Sequence, residues 1–327
     1  MKIAVVGATG EVGRTFLKLF EEFSLAKDIT DLRLFASERS QGQLIKVGSK
    51  EYRVETLTED HMKEKYDYIF FSAGAKVSAK FAPIAQEYGN TIIDNSSQFR
   101  MDPKIPLIVP EINGELLKNY KGIIANPNCS TIQMVLALNG IYKKIGLDEI
   151  VVSTYQSVSG AGNKGIIELF NQQKGIDEIK HFPKIIKNNV IPLIGDELNN
   201  GFTSEEVKMI NETHKIFSDN NIKVYPTTVR VPVVYGHSES VLIKTKSDVE
   251  LSELIELINS TPNVQFTEEI ITPYEVAGSD TTYVSRLRKP EKNCFLMWIV
   301  ADNIRVGAAT NALRILFKHK ELNIKGN

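Results

Sequence analysis

The sequence predicts an α/β protein: a doubly wound parallel sheet with a second α+β domain built on a mixed sheet. Three observations carry this reading. Short β-branched runs alternate with helical stretches over the first third of the chain. A glycine-rich turn joins the first strand to the first helix. Beyond about residue 128 the β-rich runs lengthen and the helices between them thin out, as in a mixed or antiparallel sheet. The chain has 327 residues, room for about two domains at roughly 150 residues each. The expected division is a nucleotide-binding domain of residues 1–127 completed by 303–327, with a catalytic and oligomerisation domain of 128–302 between them.

Taken in order, residues 3–6 read as a buried strand. Residues 11–23 follow as a helix with Val12, Phe16, Leu19, Phe20 and Phe23 at helical spacing. A second strand covers 32–36, and 44–47 with 51–57, joined across Gly48-Ser49, reads as a hairpin insertion. Strands at 68–72, 91–94, 107–109 and 123–125 continue the series, with 78–88 as the clearest intervening helix. Residues 131–144 are helical and apolar on more than one face, which predicts burial between layers. The β-rich runs that follow are 150–158, 223–232, 240–245, 264–271, 281–288 and 295–301. Residues 304–318 close the chain as a helix, with Val306, Ala309, Leu313, Leu316 and Phe317 near one side. The stretch 172–200, rich in Lys, Asn, Pro and Gly, reads as irregular or loosely helical.

Composition narrows the class of function. The 39 Lys+Arg against 40 Asp+Glu leave a net charge of −1, so no electrostatic footprint for nucleic acid or an anionic membrane is expected. The longest apolar run, 294–301, is strand-sized and far short of the roughly 20 residues that span a bilayer. Met1 leads into Lys2-Ile3-Ala4-Val5-Val6 without the pattern of a signal peptide, and two cysteines exclude a disulfide scaffold. A cytoplasmic enzyme is expected, with no metal site.

Gly7-Ala8-Thr9-Gly10-Glu11-Val12-Gly13 follows a strand and opens a helix, the context in which a glycine-rich string cradles a pyrophosphate, as in Rossmann-type domains. Missing side chains let the phosphates reach backbone N–H groups at the helix start. The spacing is G-x-x-G-x-x-G, with Thr9 in the middle. The second strand ends Ala36-Ser37-Glu38-Arg39-Ser40. Ser37, Arg39 and Ser40 suit a 2′-phosphate and point to NADP; Glu38 dissents, and Arg39 read alone also fits a solvated surface charge.

Asn126-Pro127-Asn128-Cys129-Ser130-Thr131 leads directly into the buried helix. A thiol at a helix start meets unpaired N–H donors and the positive end of the dipole, which favour thiolate. Cys129 is therefore a nucleophile candidate, with a buried bystander as the alternative; Cys294, opening an apolar strand, reads as packing. Of five histidines, His237 lies between two strand-like runs after Gly236, while the other four read as solvated. Arg230 interrupts a β-branched run, which fits either a structural ion pair or an anion site.

These residues resemble aspartate-semialdehyde dehydrogenases nearly end to end. The resemblance is carried by G-A-T-G-E-V-G at 7–13, A-S-E-R-S-Q-G at 36–42, F-S-A-G at 71–74 and D-N-S-S-Q-F-R at 94–100. V-P-E-I-N at 109–113, N-P-N-C-S-T-I-Q at 126–133, S-T-Y-Q-S-V-S-G-A-G at 153–162, V-R-V-P at 229–232 and H-S-E-S at 237–240 follow in the same order. Thr228 replaces a cysteine frequent in the family, Tyr225 a smaller residue, and the segment before Glu205 is shorter than in many relatives. The resemblance implies NADPH-dependent reductive dephosphorylation of L-aspartyl-4-phosphate to L-aspartate 4-semialdehyde, in lysine, threonine and methionine biosynthesis. It implies Cys129 as nucleophile, His237 as acid/base that takes the thiol proton, and Gln156 as orienter of the acyl centre. Arg100, Asn128 and Lys208 would bind phosphate, Arg230 the α-carboxylate and Glu205 the α-ammonium. Gly7, Thr9, Gly10, Glu11, Val12, Ser37, Arg39, Ser40, Ser72, Ala73, Gly74, Ser159, Gly160 and Asn303 would hold the NADP. A homodimer or a dimer of dimers is implied. The rivals are an N-acetyl-γ-glutamyl-phosphate reductase, a family that usually has Gly where this chain has Asn128, and a non-catalytic nucleotide-binding relative, which should have lost Cys129 or His237.

Overall fold

The computed structural model describes residues 1–324 and divides into two compact units, Met1–Pro127 with the chain from Ala308 on, and Asn128–Gly307. Residues 325–327 of the expected 303–327 segment lie outside the described residues.

The first unit is built on a seven-stranded sheet of β1 (Lys2–Val6), β2 (Asp31–Ala36), β3 (Leu44–Val47), β4 (Lys50–Thr56), β5 (Tyr68–Phe71), β6 (Thr91–Asp94) and β7 (Ile123–Ala125), ordered β3-β4-β2-β1-β5-β6-β7. All pairings are parallel except the β3–β4 hairpin. The central strands are apolar on both faces because both are covered. Helix Glu11–Glu22 and the C-terminal helix Thr310–Ile324 pack Phe16, Phe20, Leu313 and Leu316 around Phe70 on one side. Helix Ala75–Glu87 brings Ala82 and Ala85 against Ile69 and Phe71 on the other. Each such large side chain, fully buried, contributes about 1.5–3 kcal/mol. The order of strands reverses between β1 and β5, the switch point beside which ligands of doubly wound sheets bind.

The second unit carries a six-stranded sheet of β8 (Leu147–Gln156), β9 (Lys223–Arg230), β10 (His237–Thr245), β11 (Val264–Phe266), β12 (Thr282–Glu291) and β13 (Cys294–Ala301), ordered β11-β12-β13-β10-β8-β9. It is mixed: β8–β9 and β11–β12 are parallel, the other pairs antiparallel. Helix Cys129–Lys144 packs on β8, β10, β12 and β13 and on helices Ser204–Phe217 and Leu251–Asn259, buried without a break from Ser130 to Ile141. Stretch 172–200 is irregular apart from the end of helix Asn163–Gln173, a helix the sequence reading did not assign.

Several expected elements differ. Residues 107–109 form only a bridge from Leu107 to Ala125, because Pro106 and Pro110 flank them and the Asn113 amide takes the Val109 N–H and the Leu107 carbonyl. The run 264–271 leaves the sheet after Phe266, where acidic 268–269 follow and Ile270 is exposed. The strand at 150–158 ends at Gln156, and 158–161 form a 3₁₀ turn. The last helix begins as a π-turn, Arg305–Ala309, with the Gly307 N–H reaching the Asp302 carbonyl.

Glu239, two residues after His237 and on the same face of β10, is wholly buried with the Gln133 amide as its polar neighbour. Burial pushes its carboxyl well above the ordinary value of 4.5. A carboxyl raised on folding contributes fully below that ordinary value and loses its contribution as pH rises. Glu239→Gln should therefore gain melting temperature over the parent progressively from about pH 5 to about pH 8. A gap that stays constant with pH would contradict a protonated buried acid.

Candidate active site

Sheet topology gathers the second unit's polar residues. Parallel β8 and β9 finish at the same edge, with Gln156 beside Arg230 in register. Antiparallel β10 begins there with His237 opposite Ala301, so β13 ends there too and delivers Asn303. His237 is thus the first residue of a strand, not a loop residue between two strands.

Helix Cys129–Lys144 starts two residues earlier than its apolar pattern indicated, because Asn128 caps it: Oδ1 accepts from the N–H groups of Ser130 at 3.0 Å and Thr131 at 3.2 Å. Cys129 is then the first helical residue. The Asn128 N–H donates to Glu212 at 2.6 Å and its Nδ2 to Glu205 at 2.7 Å. Glu205 also receives Lys208 Nζ at 3.0 Å and lies 3.5 Å from Gln156 Nε2. Asn128, Gln156, Glu205 and Lys208 therefore meet as one cluster.

Arg230 is buried and donates from Nη1 to the Ser157 carbonyl at 2.7 Å. Burial lowers its pKa, while Glu205 and Cys129 push it back up, so its charge acts on the thiol. His237 is wholly buried; burial first, then the Arg230 cation, push it down to about 3 against the Glu205 carboxylate and the Gly236 backbone. The ring is neutral at physiological pH. Asn303 spends its amide on Ser157, Ser159 and the Gly236 N–H, fixing the 157–160 turn. A Cβ on Gly160 would lie 2.8 Å from Arg230 Nη1 and 3.1 Å from His237 Nε2, so this turn closes directly over both residues.

In the first unit, Gly7 has φ +89°, and a Cβ on Gly13 would lie 2.1 Å from the Gly7 carbonyl, so both positions require glycine. Helix Glu11–Glu22 starts at Gly10 without a side-chain cap, a helix start of the kind that suits an anion. Thr9 Oγ1 lies 3.3 Å from Ser40 Oγ, and Arg39 is exposed beside it at the end of β2. A Cβ on Gly7 would lie 2.8 Å from the backbone of Ser72, which opens the partly exposed Ser72-Ala73-Gly74 segment after β5. The arrangement fits a dinucleotide. Arg100, also in this unit, is buried and held by the carbonyls of Asn126 at 2.9 Å and Asn95 at 2.8 Å.

Three participants carried no sequence signal: Glu212, the Ser157 peptide and Gly307. Of the four histidines expected in water, His181 is exposed, His61 and His214 are half-buried, with His214 Nε2 2.7 Å from the Ile222 carbonyl, and only His319 is buried. His319 is buried between Tyr68 Oη at 2.8 Å and the Tyr120 carbonyl at 2.9 Å, and His61 stacks on Phe35. Cys294 is buried in β13, as expected of a packing residue. Among the described residues no group of His, Cys, Asp and Glu is placed to hold a metal, and no helix is long and apolar enough to cross a membrane.

A Cβ on Gly307 would lie 2.6 Å from Cys129 Cβ. Gly307→Ala should cost about 1–3 kcal/mol of stability through overpacking, read by urea unfolding. A neutral substitution would show that the π-turn yields freely.

Two family models match the chain: the semialdehyde dehydrogenase NAD binding domain over residues 2–120 and the semialdehyde dehydrogenase dimerisation domain over residues 138–306. An aspartate-semialdehyde dehydrogenase of Aquifex aeolicus is 47% identical, with 96% of each chain covered. One from Bacillus subtilis is 40% identical, with 99% of each chain covered. The crystal structure of aspartate semialdehyde dehydrogenase II of Vibrio cholerae, complexed with ASA, superposes with a TM-score of 0.93 at 42% identity, covering 97% of both chains. The chain belongs to the aspartate-semialdehyde dehydrogenase family.

Proposed function

We propose that the protein catalyses the reductive dephosphorylation of L-aspartyl-4-phosphate to L-aspartate 4-semialdehyde through a Cys129 thioester, in aspartate-family amino-acid biosynthesis. The observation that carries this is the placement of Cys129 at the head of a buried helix, in the field of the Arg230 cation and in the same unit as His237. The thiolate sulfur attacks the acyl carbon and phosphate departs. Gln156 orients the acyl group, and His237 acts as acid/base, taking the thiol proton and later serving the thiohemiacetal oxygen. Arg230 offers a planar fork to the α-carboxylate. Glu205, held by Asn128 and Lys208, takes the α-ammonium; Lys208, Asn128 and Arg100 bind the phosphate.

The first unit would hold NADP, whose nicotinamide supplies the hydride that reduces the thioester. Gly7, Thr9, Gly10, Glu11 and Val12 would receive the pyrophosphate, with Ser72, Ala73 and Gly74 alongside. Ser37, Arg39 and Ser40 would receive the 2′-phosphate, and Ser159, Gly160 and Asn303 the nicotinamide side. The aldehyde product and free thiolate suit a reducing cytoplasm, and the second unit would form the homodimer, or a dimer of dimers.

Cys129→Ala should abolish turnover in both directions yet bind NADP with nearly parental affinity by calorimetry. Turnover retained in that variant would remove the thioester. Arg39→Ala should raise KM for NADP about tenfold, the loss of one charge-assisted contact, and leave KM for NAD nearly unchanged. An equal change for both cofactors would place Arg39 outside the 2′-phosphate site. Oxidation of N-acetylglutamate semialdehyde but not of aspartate semialdehyde would overturn the substrate.

A further inference from the structure

Between Gln172 and Ile186 one side chain is buried, and it reaches the arginine assigned to the α-carboxylate. Residues 173–181 and 183–184 are exposed, whereas Phe182 keeps only 6% of its surface. Arg230 Cζ lies over the Phe182 ring, 5.9 Å from its centroid, within reach of a cation–π contact. Val158, from the turn that closes over Arg230, and Ile191 share the apolar cluster around this ring. A Cβ on Gly165 would come within 3.0 Å of Phe182 Cζ, so the ring fills the space that a side chain there would need.

The segment is irregular, so no ladder of its own holds Phe182 in place. Two buried polar side chains one turn apart on helix Asn163–Gln173 do so instead. Glu168 Oε2 accepts from the N–H groups of His181 at 2.6 Å and Lys180 at 3.3 Å, and Oε1 from that of Phe182 at 3.5 Å. Gln172 Oε1 accepts from the N–H groups of Ile186 at 2.9 Å and Lys187 at 3.1 Å. Its Nε2 donates to the Glu178 carbonyl at 3.0 Å and to Glu168 Oε1 at 3.4 Å. The Lys180 ammonium pairs with Glu178, so backbone donors are what hold the Glu168 carboxylate. Burying a carboxylate is costly unless such donors meet it, and here they set the path of the chain around one ring. Farther on, the Ile191 and Arg230 peptides exchange hydrogen bonds of 2.9 and 2.8 Å, which bring the segment back to β9 at the arginine itself.

The guanidinium is thus fixed in two ways. Nη1 donates to the Ser157 carbonyl at 2.7 Å, and the Phe182 ring covers the group. An aromatic face attracts the cation without consuming any of its five N–H donors. The rest of the planar fork stays available to a carboxylate, in surroundings where charge-assisted pairing is stronger than in water.

We propose that Phe182 is a positioning residue for substrate binding: its ring holds the Arg230 guanidinium ready for the α-carboxylate, and Glu168 holds the ring. The proposal rests on the assignment of Arg230 to the α-carboxylate above. It gives the 176–190 segment, which carries none of the motif residues, a part in selecting a substrate with a carboxylate at Cα.

The test is steady-state oxidation of aspartate semialdehyde by the full-length protein with NADP and phosphate, each varied in turn. Phe182→Leu keeps an apolar cover and removes the ring. It should raise KM for the aldehyde about five- to tenfold and leave kcat, KM for NADP and KM for phosphate within about twofold. Glu168→Gln keeps the shape and loses the charge on the clamp, and should raise the aldehyde KM about threefold. In the Phe182→Leu background Glu168→Gln should add nothing to that KM, because the clamp then has no ring to place. A packing role alone would lower melting temperature and active fraction without moving one KM apart from the others. An unchanged aldehyde KM in folded Phe182→Leu, or a parallel rise in all three KM values, overturns the proposal. So do additive effects of the two substitutions; should Phe182→Leu not fold, an unchanged aldehyde KM in Glu168→Gln does the same.

Arg230→Lys separates this from the assignment beneath it. Losing the planar fork should raise the aldehyde KM at least about tenfold. No rise in that variant removes the carboxylate assignment and the proposal with it. A rise there without one in Phe182→Leu overturns the proposal alone. Where a variant turns over too slowly, the dissociation constant of the aldehyde in a Cys129→Ala background replaces KM.

Discussion

A helix buried on all sides cannot leave its first N–H groups to water, and the start of Cys129–Lys144 shows how this chain meets that constraint. Asn128 accepts from two of those groups, while its own N–H and amide are taken by Glu212 and Glu205. The two carboxylates are seven residues apart on helix Ser204–Phe217, hence on one side of it. The cap therefore ties the helix of the proposed nucleophile to the helix that carries the ammonium-binding candidate. Remaining N–H dipoles at this end favour negative charge on Cys129. The peptides that meet this structural need are also those that would favour the proposed thiolate.

The sheet supplies the rest of the site by direction alone. Gln156 and Arg230 sit at corresponding ends of parallel β8 and β9, and His237 opens β10, which runs the other way. Three side chains from three different strands therefore arrive at one edge. The 157–160 turn then closes over Arg230 and His237, and Asn303 locks it from the end of β13.

Much of this was legible in the sequence. The turn at residues 7–13, the parallel strand series and Cys129 at a helix start rest on local patterns, which persist because the same residues serve the local and the global structure. What escaped was decided by distant backbone. Residues 107–109 are as β-branched as any strand, yet Asn113 takes the Val109 N–H that a ladder needs. His237 reads as a loop residue after Gly236 until β13 pairs with it. His319 on a polar-looking helix end is drawn inward by Tyr68 and Tyr120, both remote in sequence. The Ser157 peptide left no trace at all, since backbone atoms are the same in every residue.

The two cysteines make the general point sharply. Both are reduced, and both stand at the first residue of a regular element. Cys294 opens a strand, where its register partner is Lys244 and burial raises its thiol. A strand end offers no cluster of free N–H groups and no net dipole to offset lost hydration. Cys129 opens a helix whose donors converge on the sulfur's end, with the buried Arg230 adding a full charge. Burial alone would silence either thiol. What separates them is oriented charge: the helix start and the Arg230 cation stand at Cys129, and Cys294 has neither.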